Sequence, residues 1–161
     1  PRPMRPIPWV HLGVSVEDQR WADIRIPALI DTPAAVRFIS AEPLLGPIDL
    51  IGDVHAGHES DQVNAFPHRR TCLTCSTDDV EVEYFEREHL IPGLDWVICG
   101  AESGPGARAM NVDWVRSLRD QCVDAGVAFF YKQDAVNGKK VPTPELDGRT
   151  WTQMPAVAVA A

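Results

Sequence analysis

The side chains best suited to chemistry fall in short polar clusters, each at the end of an apolar run. Ser15 and Glu17 stand at the end of the apolar stretch Trp9–Val16. Glu42 follows Val36–Ala41 and precedes Pro43-Leu44-Leu45-Gly46-Pro47. Glu102, Ser103 and Arg108 stand among Gly100, Gly104 and Gly106, just after Trp96–Cys99, and Lys132 and Gln133 follow Val127–Tyr131. Carboxylates accept hydrogen bonds from amino and hydroxyl groups, whereas a guanidinium or ammonium can hold a carboxylate or phosphate. A polar ligand contacted by several strand ends is the chemistry these residue types suit. No phosphate-binding loop, dinucleotide fingerprint, His-Glu-x-x-His or nucleophile elbow is present.

A second cluster has a different character. Cys72 and Cys75 form a Cys-x-x-Cys pair, with His55, His58 and His68 upstream. Two thiolates at that spacing suit one tetrahedral zinc, with histidines completing the set. Two free thiols or a redox pair are the other readings, although the pair does not open a helix as thioredoxin-type pairs do. The pair lies in residues 53–90, an acidic stretch without sustained periodicity until Val80–Phe85 alternates as one exposed strand. This stretch reads as an insertion into a single domain spanning residues 1–161, and metal would tie together a loop of that length.

The elements that must position the first set are strands and helices in alternation. Trp9–Val16 predicts a strand, and Trp21, Ile24, Ala28 and Leu29 give helical spacing from Gln19, with a kink or restart expected at Pro27. Val36–Ala41 predicts a second strand and Ile48–Ile51 a short edge element. Trp96–Cys99 predicts a buried strand. A helix follows over residues 111–125, with Asn111 as N-cap, Trp114, Val115, Leu118 and Cys122 inward and Gly126 at C′. Val127–Tyr131 predicts another buried strand, and turns are expected at Asn137-Gly138 and Asp147-Gly148. Strand, polar glycine-rich turn and helix is how parallel α/β proteins build ligand sites at the carboxyl ends of their strands.

Composition narrows the function classes. A chain of 161 residues suits one domain with a core of its own. A formal charge of −8 argues against an extended nucleic-acid surface. No stretch approaches the roughly 18 apolar residues of a membrane span, and no signal peptide is visible. Four unevenly spaced cysteines do not make a disulfide scaffold, and Cys99 and Cys122 read as small buried hydrophobes. A cytoplasmic location is expected. The first residue is Pro1 and not methionine, which predicts a processed, truncated or tagged start.

Four ordered blocks carry a family resemblance: His-Leu-Gly-Val-Ser-Val-Glu (11–17), Phe-Ile-Ser-Ala-Glu-Pro-Leu-Leu-Gly-Pro-Ile (38–48), Asp-Trp-Val-Ile-Cys-Gly-Ala-Glu-Ser-Gly-Pro-Gly-Ala-Arg (95–108) and Phe-Phe-Tyr-Lys-Gln (129–133). Together they resemble a phage-associated, radical-SAM-like family of uncharacterised proteins. The resemblance implies a partial TIM-type (βα) barrel whose strand-end residues face a common cavity for substrate or S-adenosylmethionine. It also implies a [4Fe–4S] cluster held by an N-terminal cysteine triplet, and this chain has no such triplet. Cys72 and Cys75 lie downstream and do not match it, so the blocks correspond to the C-terminal half of the barrel. The chain is then expected to be inactive alone, as a portion of a radical-SAM-like enzyme. The alternative is a phage-derived binding protein that docks on a host protein. Half a barrel leaves an open sheet edge, which predicts pairing with a second copy or a host protein.

Overall fold

The computed structural model describes residues 6–51, 93–136 and 138–156. His11–Ser15 (β1), Val36–Ala41 (β2), Trp96–Gly100 (β3), Ala128–Val136 (β4) and Lys139–Pro142 (β5) form one sheet in the order β1-β2-β3-β4-β5. The first four strands are parallel and β5 returns antiparallel to β4. Helix α1, Gln19–Asp31, lies between β1 and β2 in the chain, and helix α2, Val112–Asp124, between β3 and β4. A small hairpin of β6, Glu145–Leu146, and β7, Arg149–Thr150, completes the described elements. The fold is therefore mixed α/β with a mostly parallel sheet, and that sheet is open, not closed into a barrel. The expected insertion at 53–90 lies outside the described residues.

Alternation along the strands sorts their side chains onto two faces. Ile39, Ala41, Val97, Cys99, Phe129 and Tyr131 are buried on one face, in a core with Ile26 and Leu29 of α1 and Val115, Leu118 and Cys122 of α2. Asp18 caps α1 by accepting from the Trp21 amide at 3.2 Å, and Asn111 caps α2 by accepting from the Asp113 amide at 2.9 Å. Helix α1 passes through Pro27 as one span. Ala22, Ile26 and Leu29 are buried on both sides of the proline, so packing on the sheet holds the two turns in line.

Three expectations are adjusted by tertiary contacts. Ile48–Ile51 is not a strand. It is latched to α2 by Gln121, whose Oε1 accepts from the Leu50 amide at 2.6 Å and whose Nε2 donates to the Ile48 carbonyl at 2.9 Å. Strand β4 does not stop at Tyr131 but runs to Val136, because β5 pairs with residues 133–136. Trp9 and Val10 lie outside the pairing of β1, and Trp9 is 82% exposed. The Asp147-Gly148 turn forms as expected, both residues adopting positive φ between β6 and β7.

Cys99 and Cys122 are fully buried, as small apolar residues would be. Burial pushes the Cys122 thiol up to about 12, and burial followed by the nearby Cys122, Glu42 and Asp134 raises Cys99 further still. Because the thiolate is the reactive form, native protein treated with iodoacetamide at pH 8 should remain unlabelled at both positions. Peptide mass spectrometry should find both labelled after denaturation, and native labelling at the denatured rate would show that the core is open.

Candidate functional site

The four parallel strands end side by side, which brings their terminal polar residues to one rim. Glu42 lies immediately beyond β2, and its Oε2 accepts from Lys132 Nζ of β4 at 2.8 Å, across a sequence separation of 90 residues. Between them stands Gly100, the last residue of β3. A Cβ there would lie 3.0 Å from Gln133 Cγ and 3.3 Å from Glu42 Cγ, so the missing side chain lets the flanking residues approach each other. Gln133 is nearly buried and fixed by donating from Nε2 to the Ala101 carbonyl at 2.7 Å. The Leu44 amide bonds the Gly100 carbonyl at 2.9 Å, and the Glu42–Pro43 peptide is cis.

A register shift places Lys132 here. Cys99 pairs with Tyr131, but Gly100 pairs with Gln133, leaving Lys132 as the extra residue of a bulge in β4. Bulges re-aim side chains at sheet ends. The Glu42 side chain is 17% exposed and that of Lys132 is 46% exposed, so the pair has one sheltered and one wet partner. Exposed ion pairs contribute little to stability, which leaves positioning as the more substantial consequence of this contact.

The other expected residues form separate arrangements along the rim. Glu102 and Arg108 make a two-pronged pair, with Arg108 Nε to Glu102 Oε2 at 2.7 Å and Nη2 to Oε1 at 3.1 Å, and the Arg108 amide also donates to Oε2. Glu17 accepts from Arg25 Nη1 at 3.1 Å, and the same guanidinium group donates to the Ser15 carbonyl at 2.7 Å. The Ser103 hydroxyl is exposed and makes no hydrogen bond among the described residues. The cations expected to hold an anion, Arg108 and Lys132, are thus each engaged by a carboxylate of the rim itself. Cys72, Cys75, His55, His58 and His68 lie outside the described residues, and among the described residues no cluster could hold a metal ion.

Hydrogen bonds from Arg108 bring the Glu102 carboxyl down to about 2. A carboxyl lowered on folding contributes its stabilisation above its unfolded pKa and loses it as pH falls through the folded value. The Glu102–Arg108 clasp should therefore stay closed from neutral pH to below pH 4 and open only near pH 2. Carboxyl carbon NMR should report a Glu102 midpoint near that value, and a midpoint at the usual 4.3 would mean that the clasp does not form in solution.

Sequence reasoning missed several contributors. Arg25 belongs to α1, eight residues from Glu17, and nothing local marks it. Tyr131 is buried on the core face with its hydroxyl unpartnered among the described residues, and burial together with the neighbouring Asp134 carboxylate raises its pKa. The β4 bulge depends on register and leaves no trace in composition.

The opposite face of the sheet carries Gly13, Phe38, Ser40, Trp96, Ile98 and Phe130, none of which belongs to the core. Trp96 lies between Phe38 and Phe130, at ring-centroid distances of 5.7 and 6.2 Å. This face is graded: aromatic rings toward the amino ends of the strands, Ser15 and Ser40 paired in register nearer the rim, and the Glu42–Lys132 pair at the top. A cleft of about 740 Å³ lies elsewhere, at the amino ends of β3 and β4, lined by Leu94, Gly126, Arg149, Trp151 and Met154. It shares no residue with the rim. No helix among the described residues is long and apolar enough to cross a membrane.

A protein-family model matches residues 3–155 of the chain, and its description is a protein of unknown function (DUF5131). Comparisons with curated proteins and with solved structures return no match.

Proposed function

The chain belongs to the DUF5131 family, and from the geometry of its carboxyl rim and the resemblance of its four sequence blocks we propose that this rim is one wall of the ligand pocket of a radical-SAM-like barrel, built to receive S-adenosylmethionine or a substrate bearing an amino-acid group. The observation that carries this reading is the Glu42–Lys132 pair above Gly100. An adjacent carboxylate and ammonium complement a zwitterion: the ligand's ammonium group goes to Glu42 and its carboxylate to Lys132. Gln133, already held by Ala101, presents a fixed edge beside them. Ser15 and Ser40 offer hydroxyls for a sugar on the same face, and the rings below provide apolar cover for a planar group.

A [4Fe–4S] cluster does not fit the described residues. Cys99 and Cys122 are buried with raised thiol pKa values, and neither is part of a triplet. The role proposed for this chain is therefore binding and orientation without cluster chemistry, so it is inactive alone. Equilibrium dialysis of the full-length gene product against labelled S-adenosylmethionine, with methionine and adenosine as competitors, tests the reading. Retention that methionine competes away and that Glu42→Gln weakens is the expected result. No retention, or retention indifferent to Glu42→Gln, would overturn it.

A further inference from the structure

The two edges of the sheet are built differently. At the β5 edge the exposed residues are Lys139, Lys140 and Pro142, the residue types that block strand addition. The rest of β4 is covered on that side by residues 151–153: the Tyr131 amide bonds the Trp151 carbonyl at 2.9 Å and the Gln153 amide bonds the Phe129 carbonyl at 3.1 Å. Among the described residues strand β1 has neither device: no segment bonds its outer backbone, and the contact made there is that of the Arg25 guanidinium on the Ser15 carbonyl. His-Leu-Gly-Val-Ser contains no lysine, no acid and no proline, and it pairs regularly with β2 throughout its length. Ahead of it, Ile7, Trp9 and Val10 are 52%, 82% and 42% exposed.

The free backbone groups of β1 follow from the ladder. The Val16 amide bonds the Ser40 carbonyl, so in a parallel pair Leu12, Val14 and Val16 direct their amides and carbonyls toward β2. His11, Gly13 and Ser15 direct theirs outward, and among these Ser15 has one lone pair engaged by Arg25. The pattern is symmetric about Gly13: polar, apolar, glycine, apolar, polar. Laid antiparallel on a second copy with Gly13 at the twofold axis, each outward residue meets an outward residue, Gly13 opposite Gly13 and His11 opposite Ser15. On the core face Leu12 meets Val14, an apolar cross-strand pair. On the other face a Cβ at Gly13 would run into the Phe38 ring, so paired glycines roofed by two such rings fill the axis.

We propose that the chain forms a twofold dimer through antiparallel β1–β1 pairing centred on Gly13, joining two sheets into one. The proposal does not depend on what the rim binds, but it gives a second copy the β1 edge at which a longer barrel would add its preceding strand. Sedimentation equilibrium of the full chain should show a monomer–dimer equilibrium. His11→Lys with Ser15→Lys places like charges opposite each other twice and should raise the dimer dissociation constant by about tenfold or more. His11→Lys with Ser15→Glu, which changes the same positions, places opposite charges together in this register and should bring the constant back to within about threefold of wild type. Circular dichroism establishes that each variant is folded. A wild-type chain that stays monomeric at high micromolar concentration, a double-lysine variant that dimerises normally, or a charge-paired variant as weak as the double-lysine one would each overturn the proposal.

Discussion

Gln121→Leu should lower the free energy of unfolding by about 2–5 kcal/mol. The substitution preserves volume and helix propensity, so the loss comes from two backbone groups. The Leu50 amide loses its acceptor and the Ile48 carbonyl its donor, in a region where Gln121, Ile48 and Leu50 are all buried. Each orphaned group costs roughly 1–3 kcal/mol. Urea denaturation with the midpoint shifted and the slope retained would establish this, and a change within about 0.5 kcal/mol would show that water satisfies the freed groups.

Gln121→Glu adds a pH dependence whose sign follows from the same contacts. A carboxylate can still accept from the Leu50 amide but turns a second oxygen toward the Ile48 carbonyl, whereas the protonated acid can donate to it. Burial and that repulsion raise the variant's carboxyl pKa in the folded state. Its stability is then greatest below the unfolded value of about 4.3 and falls as pH rises toward the folded one. The gap between variant and wild type should narrow in acid and widen at neutral pH, and a constant gap would mean that the site is hydrated.

The second large effect is expected at the rim. Lys132→Glu replaces the 2.8 Å ion pair with two facing carboxylates, removing the anion-binding half of the proposed zwitterion site and repelling the ligand's carboxylate. Loss of one charge-assisted bond is worth about 1.5–3 kcal/mol, so retention of S-adenosylmethionine should fall by about tenfold to a hundredfold, with the fold intact because Lys132 is half exposed. Combining Lys132→Glu with Glu42→Lys restores an ion pair but presents its charges in the reverse order. Binding should remain weak in that double variant. If it binds as the wild type does, the pair braces the strand ends and does not touch the ligand.

Local signals along the chain determined the elements: the cap at Asn111, the helical spacing through Leu118 and Cys122, the apolar runs of β2 to β4 and the turn at Asp147-Gly148 all act over a few residues and are legible there. The residue types at the rim were legible for the same reason, since each follows directly on a strand. Their grouping was not. Glu42 meets Lys132 rather than Glu102, Arg108 turns back on Glu102, and Gln121 holds a segment 71 residues away. These pairings depend on strand order, on a one-residue bulge in β4 and on the absence of a side chain at Gly100. All three are properties of register between distant segments, which hydrophobic periodicity does not encode. The sheet's asymmetric edges lie between these cases, because Lys139, Lys140 and Pro142 are plain in the sequence, but only the strand order makes them an edge.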